Sequence, residues 1–298
     1  MAWRGVTERF DAFCANVVLT DAQLNDGVVK STGIISKLNL AYYEHEHQTL
    51  NGLWVGSWGK KTQARPPRDI DLFFELPTEV YHRIDRVTGN GQSQLLQEVK
   101  NILQPSYAQT DMRGDGQVVV VAFNSVTVEV IPCFKLVDGR YYICDTHDGG
   151  SWTIANPHAE ITSIETGDNL TNGNLRRLIK LLKIWRRECN VPIKAYVLET
   201  LVTKFLQQSP WRGNSTFWYD WLVRDFFIFL VSRADTHLVV PDGQMVWLGN
   251  DWKSRAERAR DSANSACVYE QYDMIEEAGA EWQKIFGTWI RKELAVAA

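Results

Sequence analysis

Two aspartates stand one residue apart in the apolar run DIDLFFEL, directly after a basic loop. Side chains at positions i and i+2 of a strand point to the same face, so a strand here projects Asp69 and Asp71 together. Two adjacent carboxylates repel each other, and a shared cation removes that cost. Hard divalent ions such as Mg²⁺ take oxygen ligands, often carboxylates together with substrate phosphates. The pair therefore predicts a metal site for phosphate chemistry, with the solvated face of an edge strand as the alternative.

A third carboxylate is expected on another strand, because two-metal sites clamp both the attacking and the leaving oxygen of a displacement. Glu129 is the only charged residue in the apolar run VTVEVIPCF, and Thr127 and Ile131 share its predicted face. We predict that Glu129 completes the site begun by Asp69 and Asp71.

A Gly-Ser pair precedes the aspartates. Gly56 and Ser57 are separated from Asp69 by the eleven residues 58–68. Glycine lets backbone amides approach an anion closely, and the serine hydroxyl adds a donor to phosphate oxygen. Gly-Ser alone occurs in many ordinary turns. Followed by Asp-Ile-Asp and a later strand carboxylate, it resembles the nucleotidyltransferase fold of the DNA polymerase beta superfamily. The closer similarity is to the bacterial cGAS/DncV-like nucleotidyltransferases (CD-NTases).

The resemblance, which runs from about residue 50 to 250, implies roles for these residues. In the family the Gly-Ser turn holds the donor triphosphate, and three carboxylates hold two Mg²⁺ ions, for which Mn²⁺ is a possible substitute. The matching positions are Gly56, Ser57, Asp69, Asp71 and Glu129. One position departs from the pattern, because the third carboxylate of the superfamily is most often aspartate and Glu129 is one methylene longer.

A basic stripe lies on the predicted helix LRRLIKLLKIWRREC. At 100° per residue its four members fall within about 60° of one another. They are Arg176, Lys180, Lys183 and Arg187. The spacing alone is equally typical of a solvated face. The resemblance implies that Lys183 binds the triphosphate, with Lys180 as a weaker candidate.

The next predicted helix begins at KAYVLETL. The family often has Ser-Tyr where this chain has Ala195 and Tyr196. The resemblance implies that the Tyr196 ring stacks under the donor base, a contact worth roughly 1–3 kcal/mol. Because the serine hydroxyl is missing, one phosphate contact must come from elsewhere, and Lys194 is a candidate. An ordinary core tyrosine is the alternative interpretation.

The elements that position these residues change in type along the chain. The first fifty residues are predicted to be helical, with a capping box at Thr20 and Gln23. Strand-like runs separated by turn residues occupy 51–145, around one helix, SQLLQEVKNIL. From residue 157 the chain is predicted to be helical almost to its end. We expect an α+β, bilobal nucleotidyltransferase fold. Residues 1–156 form the N-terminal long helix and a mixed-sheet catalytic lobe, and residues 157–298 form a helical lobe over a nucleotide cleft.

The bulk composition restricts the class of protein. The chain has 298 residues, a net charge of −4 and five scattered cysteines with no C-x-x-C pair. These features argue against a disulfide framework, a zinc ribbon and a surface built for long duplex nucleic acid. No apolar run reaches the roughly 18 residues of a membrane span, so we expect no membrane partner. We expect a cytoplasmic protein.

The resemblance implies an Mg²⁺-dependent enzyme that condenses nucleoside triphosphates, ATP and/or GTP, into a cyclic di- or trinucleotide second messenger. It further implies antiphage (CBASS) signalling, in which the product activates a downstream effector. The alternative is a nucleotidyltransferase of the same fold that makes linear oligonucleotides or modifies a protein, a drug or an RNA end. A non-enzymatic nucleotide-binding module is disfavoured by the intact carboxylates.

Overall fold

A computed structural model describes residues 3–294. Its contacts divide the chain into two compact units. One, the sheet unit, runs from Leu19 to Ile161. The other, the helical unit, combines the residues up to Val18 with those from Thr162 onwards. This division differs from the expected one, in which the first helix belongs to the sheet lobe and the boundary follows residue 156.

The helices and strands alternate in the sheet unit, and helices predominate in the helical unit. The α-helices are α1 (Arg4–Val17), α2 (Asp21–Tyr43), α3 (Gly56–Gly59), α4 (Thr78–Asp85), α5 (Gly91–Leu103), α6 (Pro157–Leu170), α7 (Asn174–Glu188), α8 (Ala195–Gln208), α9 (Tyr219–Val231), α10 (Lys253–Gln271) and α11 (Ile275–Phe286). The strands are β1 (Gly52–Trp54), β2 (Ile70–Glu75), β3 (Asp111–Asp115), β4 (Val118–Ala122), β5 (Thr127–Lys135), β6 (Tyr141–Asp145), β7 (Ser151–Ala155), β8 (His237–Val239) and β9 (Met245–Trp247).

A seven-stranded mixed sheet forms the centre of the sheet unit. Its main path is β1-β2-β5-β4-β3, and β6 pairs with the far end of β5 and with β7. Strands β2 and β5 run parallel, whereas the other pairs are antiparallel. The long strand β5 is therefore the organising element, because it contacts β2 along one edge and β4 and β6 along the other.

The two faces of β2 and β5 differ, as the period-two pattern predicts. Ile70, Leu72 and Phe74 point into the main core together with apolar side chains of α2 and α5. On the opposite face Phe73 and Ile131 belong to a smaller apolar cluster. The carboxylates lie on this second face, so the smaller cluster supports the strands immediately beyond them.

The start of α2 confirms the predicted capping box. The Thr20 side chain accepts a hydrogen bond from the Gln23 amide, and the Gln23 side chain accepts one from the Thr20 amide. These two bonds satisfy amides that a helix start otherwise leaves open. The helical N-terminal region is thus two helices, α1 and the 23-residue α2, separated at Val18–Thr20.

Helix α1 is anchored in the helical unit by a buried ion pair. Arg9 Nε donates to Glu270 Oε1 over 2.8 Å, and neither side chain is exposed to solvent. Arg9 also donates to the carbonyls of Ile275 and Lys292. A charge this deeply buried needs such partners, which explains why α1 packs with the C-terminal helices.

Two details of the helical unit differ from the sequence prediction. The hairpin β8–β9 interrupts the region predicted to be helical. Helix α11 ends at Phe286, and a short 3₁₀ turn follows at Gly287–Trp289, where the prediction continued the helix through EWQKIFGTWIRKELA. Gly287, directly after α11, has a φ of 59°, which favours glycine. Ala295, the last residue of the predicted segment, lies outside the described residues. Between residues 3 and 294, no helix has the length and apolarity to cross a membrane.

Candidate active site

The register of the sheet brings two of the three predicted carboxylates together. Asp71 of β2 pairs with Glu129 of β5 in the parallel ladder, so the two half-buried side chains share one face on neighbouring strands. Neighbouring strands lie about 4.8 Å apart. Asp69 immediately precedes β2 and is exposed. The structure therefore places Asp71 and Glu129 side by side, with Asp69 just before the start of β2.

The electrostatics of this face are dominated by negative charge. Burial, and after it the carboxylates of Asp71, Asp69 and Asp115, raise the pKa of Glu129 to about 7, against an opposing effect of Arg113. Both burial and the neighbouring carboxylates disfavour the ionised form of Glu129. A cation bound at this face would therefore stabilise the ionised form of Glu129.

Gly56 lies directly against Asp71. Its φ is 52°, and a Cβ atom built on it would lie only 1.8 Å from Asp71 Oδ2. The preceding Val55 amide donates to the Asp71 carbonyl over 2.9 Å, which fixes the turn to the strand. The sequence predicts that Gly56 lets backbone amides approach an anion. The structure adds a second reason for glycine here, because any side chain would collide with the Asp71 carboxylate.

Ser57 follows in the short helical turn α3 and is half-buried. Its carbonyl accepts a hydrogen bond from the Thr62 amide over 2.9 Å, and the Gly56 carbonyl accepts one from the Lys60 amide. These bonds close the loop on itself. The Gly-Ser turn is therefore a defined structure beside the carboxylates.

Lys60 is a residue that sequence reasoning missed. Its side chain is 5% exposed and its Nζ atom lies 2.7 Å from Glu160 Oε2 on α6. Because it stands in the run GKKTQ, nothing in the sequence distinguishes it from a solvated lysine. The ion pair ties the Gly-Ser turn to α6.

The donor chemistry of the site fits a hard divalent cation. Asp69, Asp71 and Glu129 offer only carboxylate oxygens, which are the ligands that Mg²⁺ prefers. The neighbouring carboxylates help to raise the pKa of Glu129, and a cation held there would oppose that effect. Within residues 3–294, no three His, Cys, Asp or Glu side chains already stand close enough to enclose an ion. Asp71 and Glu129 share one face of the sheet, and Asp69 stands two residues before Asp71, so these three residues are the ones that would hold the metal.

The basic stripe of α7 lies in the helical unit, where most of its members have protein partners. Arg176 donates to Asp168 over 2.8 Å. Arg187 lies 4.8 Å above the centroid of the Trp289 ring. These two side chains therefore have structural roles that spacing alone could not reveal.

Lys180 and Lys183 differ in their surroundings. Burial lowers the pKa of Lys180, and the neighbouring charges of Lys183 and Arg176 lower it further. Lys183 instead forms a close ion pair, with Nζ 2.6 Å from Glu199 Oε1 on α8. The side chains of Lys183 and Glu199 are 15% and 4% exposed. The lysine that the resemblance selects thus has a buried carboxylate beside it.

Glu199 was also missed by sequence reasoning. The available signal was that it is the only charged residue in the apolar segment AYVLETLV at the start of α8. A lone acid in such a segment needs a partner when the helix is buried.

Breaking the Lys183–Glu199 pair should strongly destabilise the helical unit. We expect Lys183→Met to lower the free energy of unfolding by about 3–5 kcal/mol, because it leaves a buried carboxylate without its cation. The double substitution Lys183→Met with Glu199→Met should recover much of that loss, since it removes both charges. Urea denaturation measures both values. Lys180→Met serves as the control on the same helix, and a Lys183→Met protein as stable as wild type would contradict this role.

Lys194 and Tyr196 lie at the start of α8. Lys194 is exposed and occupies the N-cap position, where its carbonyl accepts a hydrogen bond from the Leu198 amide. Tyr196 is half-buried, so it is not one of the fully buried core aromatics. In the described part of the chain its ring makes no aromatic stacking contact. Both residues therefore retain accessible side chains.

Comparison with known proteins identifies the family. The model of the Second Messenger Oligonucleotide or Dinucleotide Synthetase domain (SMODS) matches residues 5–167. A cyclic AMP-AMP-AMP synthase from Acinetobacter sp. is 29% identical over 167 residues, which cover 54% of this chain and 46% of that protein. The chain thus aligns with less than half the length of this curated relative.

Solved structures show the same fold. Escherichia coli MS115-1 CdnC with ATP matches with a TM-score of 0.67 at 18% identity, covering 97% of this chain and all of the other. The Vibrio cholerae cyclic AMP-GMP synthase DncV, described as a prokaryotic cGAS homologue, matches with a TM-score of 0.72 at 14% identity. That match covers 98% of this chain and 99% of DncV. The expected bilobal α+β nucleotidyltransferase fold is confirmed, and the chain belongs to the SMODS family of bacterial cGAS/DncV-like nucleotidyltransferases.

Proposed function

We propose that this protein is an Mg²⁺-dependent nucleotidyltransferase that condenses nucleoside triphosphates into a cyclic di- or trinucleotide. The observation that carries the proposal is the register pair of Asp71 and Glu129, with the Gly56 turn packed against the Asp71 carboxylate. That arrangement combines a carboxylate pair for a cation with a glycine turn for phosphate, which is the minimum that phosphoryl transfer requires.

In the reaction, a sugar hydroxyl of the accepting nucleotide attacks the α-phosphorus of the donor. A new O–P bond forms, the bond to the β-phosphate oxygen breaks, and pyrophosphate leaves. The hydroxyl proton passes to a nearby base, for which the Glu129 carboxylate is placed beside Asp71. Gly56 and Ser57 orient the donor phosphates through backbone amides and the serine hydroxyl. Mg²⁺ held by Asp69, Asp71 and Glu129 would supply electrostatic stabilisation of the developing charge.

The helical unit would contribute the remaining donor contacts. Lys183 would supply positive charge for the triphosphate, and Glu199 holds its ammonium group in place through their 2.6 Å pair. Lys180 is the second cation on the same helix. Tyr196 would stack under the donor base, with Lys194 near the phosphates in place of the missing serine hydroxyl.

ATP and/or GTP are the proposed substrates, and the cyclic product would activate an effector protein in antiphage (CBASS) signalling. The names of the relatives support this choice, because one makes cyclic AMP-AMP-AMP, one makes cyclic AMP-GMP and a third was solved with ATP. The cytoplasm is the proposed location. All five cysteines are free, including the buried Cys133 and Cys144, as is typical of a reducing compartment.

The enzymatic part of the proposal is tested by pyrophosphate release. Purified protein incubated with the four nucleoside triphosphates and Mg²⁺ should release pyrophosphate, EDTA should stop the release, and added Mg²⁺ or Mn²⁺ should restore it. Release that continues in EDTA would contradict the metal assignment. Transfer only to an added protein or RNA would instead support the alternative activity of the same fold.

A further inference from the structure

The Gly-Ser turn is held from several sides within the sheet unit. Trp58 of α3 is 7% exposed, and its ring lies so close to α2 that a Cβ atom built on Gly27 would be 2.3 Å from Trp58 Cη2. A Cβ atom built on Gly59 would be 2.3 Å from the carbonyl oxygen of Trp54 in β1. Close packing against α2 and β1 therefore fixes the apolar side of the turn.

A further support of the turn is polar. The Lys60 side chain is 5% exposed, and its Nζ donates to Glu160 Oε2 over 2.7 Å. Glu160 lies in the first turn of α6, 100 positions further along the chain. The ion pair therefore joins the residue directly after α3 to an element that only tertiary packing brings close.

A buried ammonium is a costly way to hold a loop, because taking a charge out of water carries a desolvation penalty. An apolar side chain of similar volume often stabilises a fold equally well or better. What the ion pair adds is a defined distance and direction between Nζ and the Glu160 oxygen. That precision matters four residues earlier, where a Cβ atom on Gly56 would lie 1.8 Å from Asp71 Oδ2. Because the Lys60 amide donates to the Gly56 carbonyl, a shift at Lys60 is passed to the contact between the turn and the carboxylate.

We propose that Lys60 is a positioning residue, whose ion pair with Glu160 holds the Gly-Ser turn in its place against the Asp71 carboxylate. In this role Lys60 acts through the turn and not on the reacting atoms. The inference rests on the proposed function and deepens it, because a turn that is held in place orients the donor phosphates for attack.

Lys60→Met tests this role, because it roughly keeps the volume of the side chain and removes its charge. We expect kcat for nucleotide transfer to fall at least about tenfold, since a displacement of about 1 Å in catalytic geometry can cost about 10²-fold. The KM for ATP should stay within about threefold, because the proposed donor contact of Lys183 remains. The melting temperature should stay close to that of wild type, because Glu160 is 38% exposed and can be hydrated once the Lys60 ammonium is gone.

A double-mutant cycle tests whether the two side chains act as one. Glu160→Gln should also lower kcat, and the double variant Lys60→Met with Glu160→Gln should be no slower than Lys60→Met alone, since the interaction is already lost. Lys61→Met is the matched control, because Lys61 is the exposed neighbour in the same run, and it should keep the wild-type kcat. Two effects that multiply in the double variant, or a wild-type kcat in Lys60→Met, would overturn the positioning role.

Amide hydrogen exchange separates this inference from the proposed function, since it needs neither nucleotide nor turnover. Within the turn the Lys60 amide donates to the Gly56 carbonyl, and the Thr62 amide donates to the Ser57 carbonyl. Exchange in residues 56–62, followed by mass spectrometry, should be at least about tenfold faster in Lys60→Met than in wild type and unchanged in Lys61→Met. That result supports the positioning role even if wild type transfers no nucleotide. Equal exchange in wild type and Lys60→Met overturns it, even if pyrophosphate is released.

Discussion

Asp71→Asn should reduce nucleotide transfer by about 10³-fold or more while leaving the protein at least as stable as wild type. A metal ion contributes several kcal/mol to transition-state stabilisation, and each 1.4 kcal/mol is about tenfold in rate. Stability should hold or rise because Asp71 is one of the carboxylates that raise the pKa of Glu129. Removing the Asp71 charge relieves that repulsion in the metal-free fold.

Steady-state transfer rates and thermal melting measure the two effects of Asp71→Asn. Glu75→Gln is the matched control, because Glu75 is on the same strand and the same face, four residues further on. It should keep transfer activity. A marked fall in the melting temperature of Asp71→Asn would contradict a functional role and indicate that the carboxylate is needed for folding.

Gly56→Ala should lower the transfer rate by at least about 100-fold. The new Cβ would lie 1.8 Å from Asp71 Oδ2, so either the turn or the carboxylate must move. A displacement of about 1 Å in catalytic geometry can cost about 10²-fold. The φ of 52° adds strain of about 1–2 kcal/mol for a residue other than glycine.

The variant Gly139→Ala distinguishes the effect of backbone strain in Gly56→Ala from the effect of its collision with Asp71. Gly139 also has a positive φ, 84°, but a Cβ there meets nothing within 4 Å. We expect Gly139→Ala to show the backbone penalty in its melting temperature and to keep wild-type transfer activity. If Gly56→Ala and Gly139→Ala were equally active, the contact between the turn and Asp71 would have no catalytic importance.

Local patterns in the sequence were sufficient to predict which face of β2 carries Asp71 and the helix cap of α2. The alternation of β2 determines that Asp71 and Leu72 point in opposite directions, and the Thr20–Gln23 box acts over three residues. The pairing of Asp71 with Glu129 depends on strand register, which is set by contacts 58 positions apart in the chain. No local pattern contains that information.

The partners of buried charges were the least predictable part of the site. Lys183 pairs with Glu199 and Arg9 with Glu270, and each pair joins elements that only tertiary packing brings together. The lone acid in AYVLETLV signals that some partner exists, but not which of the basic residues on α7 supplies it. The same limit applies to the unit in which α1 packs. Helix α1 associates with the C-terminal helices through the buried contacts of Arg9, and helical periodicity does not reveal those contacts.

The central claim, that this protein closes its product into a ring, is tested most directly by the phosphatase sensitivity of the product. Wild-type protein is incubated with α-³²P-labelled nucleoside triphosphates and Mg²⁺, and the products are treated with alkaline phosphatase. Cyclisation consumes the last triphosphate, so the main labelled product should survive phosphatase and release labelled phosphate only after nuclease cleavage as well. A ladder of linear products that lose their terminal phosphates to phosphatase would contradict the account.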